Sequence, residues 1–88
     1  MSNVTFTLQI FRENNLFVSY NPELDVSSCG ETTESARKNL KQAVAGFLKS
    51  AYAMGTLNEI LEQAGFSHTG GKWSSPELVT LDRFSLAI

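Results

Sequence analysis

The sequence is poor in the residues that carry out chemistry or staple small folds. It has one cysteine, Cys29, and one histidine, His68, in 88 residues. A single thiol closes no internal disulfide, so the fold stands without a covalent staple, and a reducing, cytoplasmic setting is the expected compartment. One cysteine and one histidine far apart in sequence make no ligand cluster, which excludes a structural zinc site. Basic charge is scarce as well. Seven Lys and Arg stand against nine Asp and Glu, a net charge of −2, which excludes a nucleic-acid binder held by overall positive charge. Apolar runs last only a few residues, far short of the ~20 that a membrane-spanning helix needs. The opening Met1-Ser2-Asn3-Val4-Thr5 has neither a basic n-region nor an apolar h-region, so no secretory signal is expected. No G-x-x-x-x-G-K-[ST] or G-x-G-x-x-G loop occurs, and Gly70-Gly71-Lys72 is too short to cradle a phosphate. No cofactor is expected.

What remains suits one small globular domain spanning residues 1–88. The hydrophobic fraction is 42% and the aromatic fraction 10%, enough for a core and too much for a disordered tail. A chain of this length buries only roughly 60–65% of its unfolded surface, so each packed side chain counts.

Val4, Phe6, Leu8 and Ile10 alternate with Thr5, Thr7 and Gln9, the period of a half-buried strand over residues 4–10. Asn14-Asn15 suits a hairpin turn, and Leu16-Phe17-Val18-Ser19-Tyr20 a returning strand. Pro22 ends that strand, because it has no N–H for a ladder. A short third strand of small residues is expected over 26–30, lying under another element or at an edge.

Thr32 is a candidate N-cap for the helix that follows, although Ser35 stands where a capping box wants Glu. Ala36, Leu40, Ala43, Val44, Phe47, Leu48 and Ala51 recur at spacings of three and four, one apolar stripe ending before Gly55. Gly46 within it suggests a close approach of helix to sheet. Thr56 and Glu59 supply a capping box for a second helix over 57–64, closed by Gly65, after which Phe66 turns back onto the core. Residues 67–75 read as a polar loop, expected to be the most mobile stretch. Phe84, Leu86 and Ile88 alternate with Arg83, Ser85 and Ala87, so 78–88 reads as a final strand with a bulge near Leu78, Val79 and Leu81. The order β-β-β-α-α-β predicts an α+β domain with helices on one face of an antiparallel sheet.

Catalytic readings are weak. His68 sits in a Gly-rich loop beside Ser67 with no acid nearby, and a solvated histidine is the favoured reading. Cys29 near a helix start is favoured as a small, half-buried hydrophobe over a reactive thiolate. Glu23 and Asp25 could offer magnesium a carboxylate pair, making a degenerate nuclease, but loop carboxylates usually face water. Arg37, Lys38, Lys41 and Lys49 fall within an arc of about 120° on the first helix. Such an arc can follow a phosphate backbone, although a solvated helix face with a Glu34–Lys38 pair is the favoured reading. Trp73 and Phe66 could equally be exposed anchors for a partner or a lid over the core.

Beside these readings stands a resemblance. Pro22-Glu23-Leu24-Asp25-Val26-Ser27-Ser28-Cys29-Gly30-Glu31-Thr32, running into Thr33-Glu34-Ser35-Ala36, resembles the HicB family of type II toxin–antitoxin antitoxins. Phe17-Val18-Ser19-Tyr20 is similar to the family's second strand, Pro22-Glu23-Leu24 to its turn, and Ala36, Asn39 and Ala43 to its helix pattern. Leu61-Glu62-Gln63-Ala64-Gly65-Phe66 and Trp73…Pro76-Glu77-Leu78 are similar to the tail of short members. Cys29 departs from the usual glutamine and Ser35 from a common Glu. The helix-turn-helix or ribbon-helix-helix segment that many members append is not found in these residues.

The resemblance implies a partial ribonuclease-H-like fold without a catalytic cluster. It implies a protein that is not an enzyme and that binds and masks a small basic ribonuclease toxin of the HicA type; direct DNA binding is not expected. The acidic balance would favour such a partner by raising the association rate. The expected contact region is Tyr20, Pro22, Glu23, Leu24 and Asp25. Open sheet edges also lead one to expect a homodimer or tetramer. Two other readings stand beside it: a nucleic-acid-binding regulator using Arg37, Lys38, Lys41 and Lys49, and an orphan HicB-fold interaction module.

Overall fold

A computed structural model describes residues 3–88 of the chain. Three antiparallel strands, β1 (Gln9–Glu13), β2 (Leu16–Asn21) and β3 (Val26–Gly30), form a sheet in the order β1-β2-β3. A long helix, α1 (Thr33–Ala53), and a short one, α2 (Leu57–Gln63), follow, and then a separate hairpin of β4 (Ser67–Thr69) and β5 (Lys72–Ser74). The domain is α+β, as its periodicities indicate.

The first strand lies later than the alternation of apolar residues suggests. Gln9 pairs with Tyr20 and Glu13 with Leu16. One step further back would set residues 8 and 7 opposite Asn21 and Pro22, where β2 stops and proline offers no N–H. Residues 3–8 therefore leave the ladder, and side chains replace the missing strand. The Thr7 N–H donates to Glu23 Oε1 (2.6 Å), the Thr7 carbonyl accepts from Asn21 Nδ2 (2.8 Å), and the Thr5 N–H donates to Ser75 Oγ.

Helix α1 lies over β3 and β2 and barely reaches β1. Ala36, Leu40, Val44 and Ala51 are its buried residues; with Leu61 and Phe66 they form the apolar core. Phe47, counted in the apolar stripe, is 38% exposed. The small residues of β3 let the helix approach closely. At Gly30 an added Cβ would lie 2.2 Å from Ser35 Oγ and 2.6 Å from the Ala36 nitrogen, closer than any side chain tolerates. Gly46, the sequence-based candidate for that role, has nothing within 4 Å of its would-be Cβ and faces solvent. Between the layers, fully buried Ser19 donates through Oγ to the Ala36 carbonyl at 2.8 Å. Asn39 donates through Nδ2 to the Cys29 carbonyl at 2.8 Å, tying the edge strand to the helix.

Thr32 caps α1 as expected, but both capping boxes differ from expectation. At α1, Ser35 completes the box: its backbone N–H donates to Thr32 Oγ1 (3.0 Å), and its hydroxyl accepts from the Thr32 N–H (3.1 Å). A serine at this position can therefore do what Glu does. At α2, Thr56 makes no side-chain cap despite Glu59, because its backbone sits at φ −110°, ψ 3° rather than in the extended region a cap requires.

The C-terminal third differs most from expectation. Residues 67–75 are a hairpin, not a loop: Gly70 (φ 59°) and Gly71 (φ 78°) make its two-residue turn, and His68 stacks on Trp73 with ring centroids 4.5 Å apart. Phe66 is core, 3% exposed and 5.3 Å from the Phe6 ring, not a surface anchor. The final strand over 78–88 does not form. Those residues have no strand partner and are exposed along their length.

Candidate functional site

The β2–β3 connection is built around Asn21, which is fully buried. Its Nδ2 donates to the Thr7 carbonyl and to Glu23 Oε1 (2.7 Å), while its Oδ1 accepts from the Leu24 N–H (2.9 Å). One amide thus closes the turn and anchors residues 3–8. Pro22 and Asp25 are exposed; Glu23 and Leu24 are half-buried. Asp25 takes a left-handed φ of 56°, a conformation Asp accepts more readily than most residues. Its Oδ1 accepts from the Tyr20 hydroxyl at 2.9 Å. That hydrogen bond, with partial desolvation and the nearby negative charge, raises the Tyr20 phenol above its ordinary value. Of the five residues expected to meet a partner, Tyr20, Pro22 and Asp25 offer accessible groups, whereas the Glu23 carboxylate is an internal acceptor.

The two acids do not form a metal-binding set. Glu23 Oε1 already accepts from Thr7 and Asn21, and among the described residues no group of three His, Cys, Asp or Glu could hold an ion. Cys29 is exposed on the sheet rather than half-buried.

Strand alternation separates the two faces of the sheet. Phe17, Ser19 and Asn21 point toward α1, and Arg12 joins them, its guanidinium 5.2 Å from the Phe17 ring centroid. The opposite face carries Leu16, Val18 and Tyr20, with no helix over it. Register extends the row: Phe11 pairs with Val18, and Val18 with Cys29. Phe11 is 48% and Leu16 43% exposed. The charged groups of this face and its end are Glu13 and Asp25, both acidic, while the basic residues lie elsewhere. Sequence reasoning took Leu16 to Tyr20 as a returning strand without assigning its two faces, and so missed this surface. The period-two rule, applied to β2 as it was to the first strand, would have found it.

Arg37, Lys38, Lys41 and Lys49 are all exposed on α1, in the layer opposite that face. Lys41 also borders an apolar groove of about 240 Å³ between α1 and residues 6–8. Among the described residues no helix is long and apolar enough to cross a membrane. Compared with known proteins, the chain matches no family model, no curated protein and no solved structure.

Proposed function

We propose that this protein is a non-enzymatic, cytoplasmic, HicB-like antitoxin domain that binds and masks a small basic ribonuclease toxin of the HicA type. The observation that carries the reading is the helix-free sheet face, where Phe11, Leu16 and Val18 form an apolar centre and the charges among the described residues, Glu13 and Asp25, are acidic. An apolar centre inside a charged rim is the usual anatomy of a protein interface. An acidic rim selects a basic partner and speeds its approach. Masking requires only that the toxin's surface be covered, which an interface of ordinary size achieves. The motif resemblance across the β2–β3 turn and α1 supplies the partner's class.

The test is co-expression with a HicA-type toxin. The chain should rescue growth and co-purify with the toxin, and Phe11→Lys with Leu16→Lys should abolish both while the chain stays folded. Retention of rescue by that double variant would move the interface elsewhere.

The exposed basic arc on α1 favours a second reading, a nucleic-acid-binding regulator. A salt-dependent gel shift abolished by charge reversal at Arg37, Lys38, Lys41 and Lys49 would support it.

A further inference from the structure

Two apolar surfaces of this chain lack a partner, and they match. The first is the groove walled by Phe6 and Leu8 on one side and by Leu40, Val44 and Leu48 of α1 on the other. It exists because α1 sits over β3 and β2, leaving the space beside it on the β1 side unfilled. Residues 6–8 lead directly into β1, the outermost strand of the sheet, one edge of which is unpaired. The second is the arm of residues 78–88. Leu78, Val79, Leu81, Phe84, Leu86 and Ile88 are each at least 62% exposed. Phe84, Leu86 and Ile88 fall on one side of an extended chain, with Arg83 and Ser85 on the other.

The arm is set up to leave its own body. Its base is fixed where the Pro76 ring lies 3.4 Å from the would-be Cβ of Gly65 and Ser75 Oγ accepts from the Thr5 N–H. Beyond Pro76 the sequence has no Gly, Pro or Asn, and the Thr80 hydroxyl donates only locally, to Asp82 Oδ2 (2.6 Å). The radius of gyration is 14.9 Å, against ~12 Å for a compact chain of this length.

We propose that residues 78–88 of one copy lie in the groove of a second copy and that the exchange is reciprocal. Phe84, Leu86 and Ile88 enter between residues 6–8 and α1, extending along the β1 edge, and Asp82, on the same side of the extended arm, approaches Lys41 at the groove rim. The three side chains that enter bury roughly 60–120 Å² each by the usual transfer relation. Doubled for the groove they cover and again for the reciprocal arm, this gives roughly 700–1,400 Å², which reaches the lower end of the standard range for stable interfaces. A proline at the base of an exchanged segment is a suitable hinge, since it stiffens the departure.

The experiment needs only the purified chain, so its outcome is independent of any toxin. Light scattering and sedimentation velocity should find a dimer for the wild type. Phe84→Asp with Leu86→Asp, which alters the arm, should weaken dimerisation at least about 100-fold. Ala45→Arg, an exposed helical position on the groove wall, should do the same, with circular dichroism confirming that each variant keeps its helix. Mixing the two monomeric variants, one carrying a size tag, should restore a heterodimer. In it the intact arm of the Ala45→Arg chain meets the intact groove of the other. A wild type monomeric at every concentration, a dimer indifferent to either variant, a mixture that fails to associate, or a dimer formed only with toxin present would each overturn the proposal.

Discussion

Asn21 Nδ2 lies 2.7 Å from Glu23 Oε1, a contact between two residues of one turn that also holds residues 3–8 through the Thr7 carbonyl and N–H. Removing the amide leaves the Leu24 N–H and the Thr7 carbonyl without their partners. Asn21→Ala should therefore cost about 2 kcal/mol, the scale for stranding buried polar groups. Urea denaturation should show a lower midpoint with an unchanged slope. Glu23→Gln, which keeps an acceptor for Thr7, should cost less than Glu23→Ala. Equal losses would mean that the turn does not depend on this acceptor.

The two glycines at α1 should respond in opposite directions. Gly30→Ala forces a Cβ against Ser35 and the Ala36 backbone and should destabilise by about 1–3 kcal/mol, the range for overpacking. Gly46→Ala meets nothing and should stabilise by about 0.5–1 kcal/mol through helix propensity and a less flexible unfolded chain. Thermal or urea melts of the two variants check both signs.

Tyr20 should titrate above the ordinary tyrosine range because its hydroxyl donates to Asp25. A folded-state pKa raised above the unfolded value means that the contact contributes fully below the unfolded value. That contribution is lost as pH rises through the folded one. The alkaline ultraviolet titration of Tyr52→Phe, which leaves Tyr20 as the only tyrosine, should show the upward shift. Asp25→Asn should shrink it. A curve unmoved by Asp25→Asn would assign the shift to desolvation.

The sheet face and the arm should be separable in function. Phe11→Lys with Leu16→Lys should lose toxin capture and keep self-association, whereas Phe84→Asp with Leu86→Asp should do the reverse. Pull-down and sedimentation on both double variants and the wild type decide this. Loss of both properties in either variant would mean that one surface serves both roles.

The local elements were legible where local physics decides them. The third strand at Val26–Gly30, the hairpin turn at Asn14 and the helix from Thr33 to just short of Gly55 follow from alternation, turn chemistry and a period near 3.6. The hairpin at Gly70–Gly71 was equally local, yet its polar strands hid it, because a two-stranded ribbon on the surface has no apolar side to betray it. Of the candidate site, the turn at Pro22–Asp25 was located correctly, but the inward use of Glu23 was not. Which way a carboxylate points depends on what stands within hydrogen-bond reach, and its partner Thr7 comes from residues far earlier in the chain.

The sequence by itself determined the second and third strands and the two helices with their ends, and that no cysteine pair holds them. Tertiary structure alone decided that the alternating residues 4–8 are not a strand, since a strand needs a partner and β2 ends at Asn21 before Pro22. It likewise decided that 78–88 is an arm without a sheet, and that Gly30 rather than Gly46 is where helix meets strand. The physical reason is common to all three. Periodicity records what a segment would bury, whereas pairing and contact depend on the distant residues that fold brings beside it.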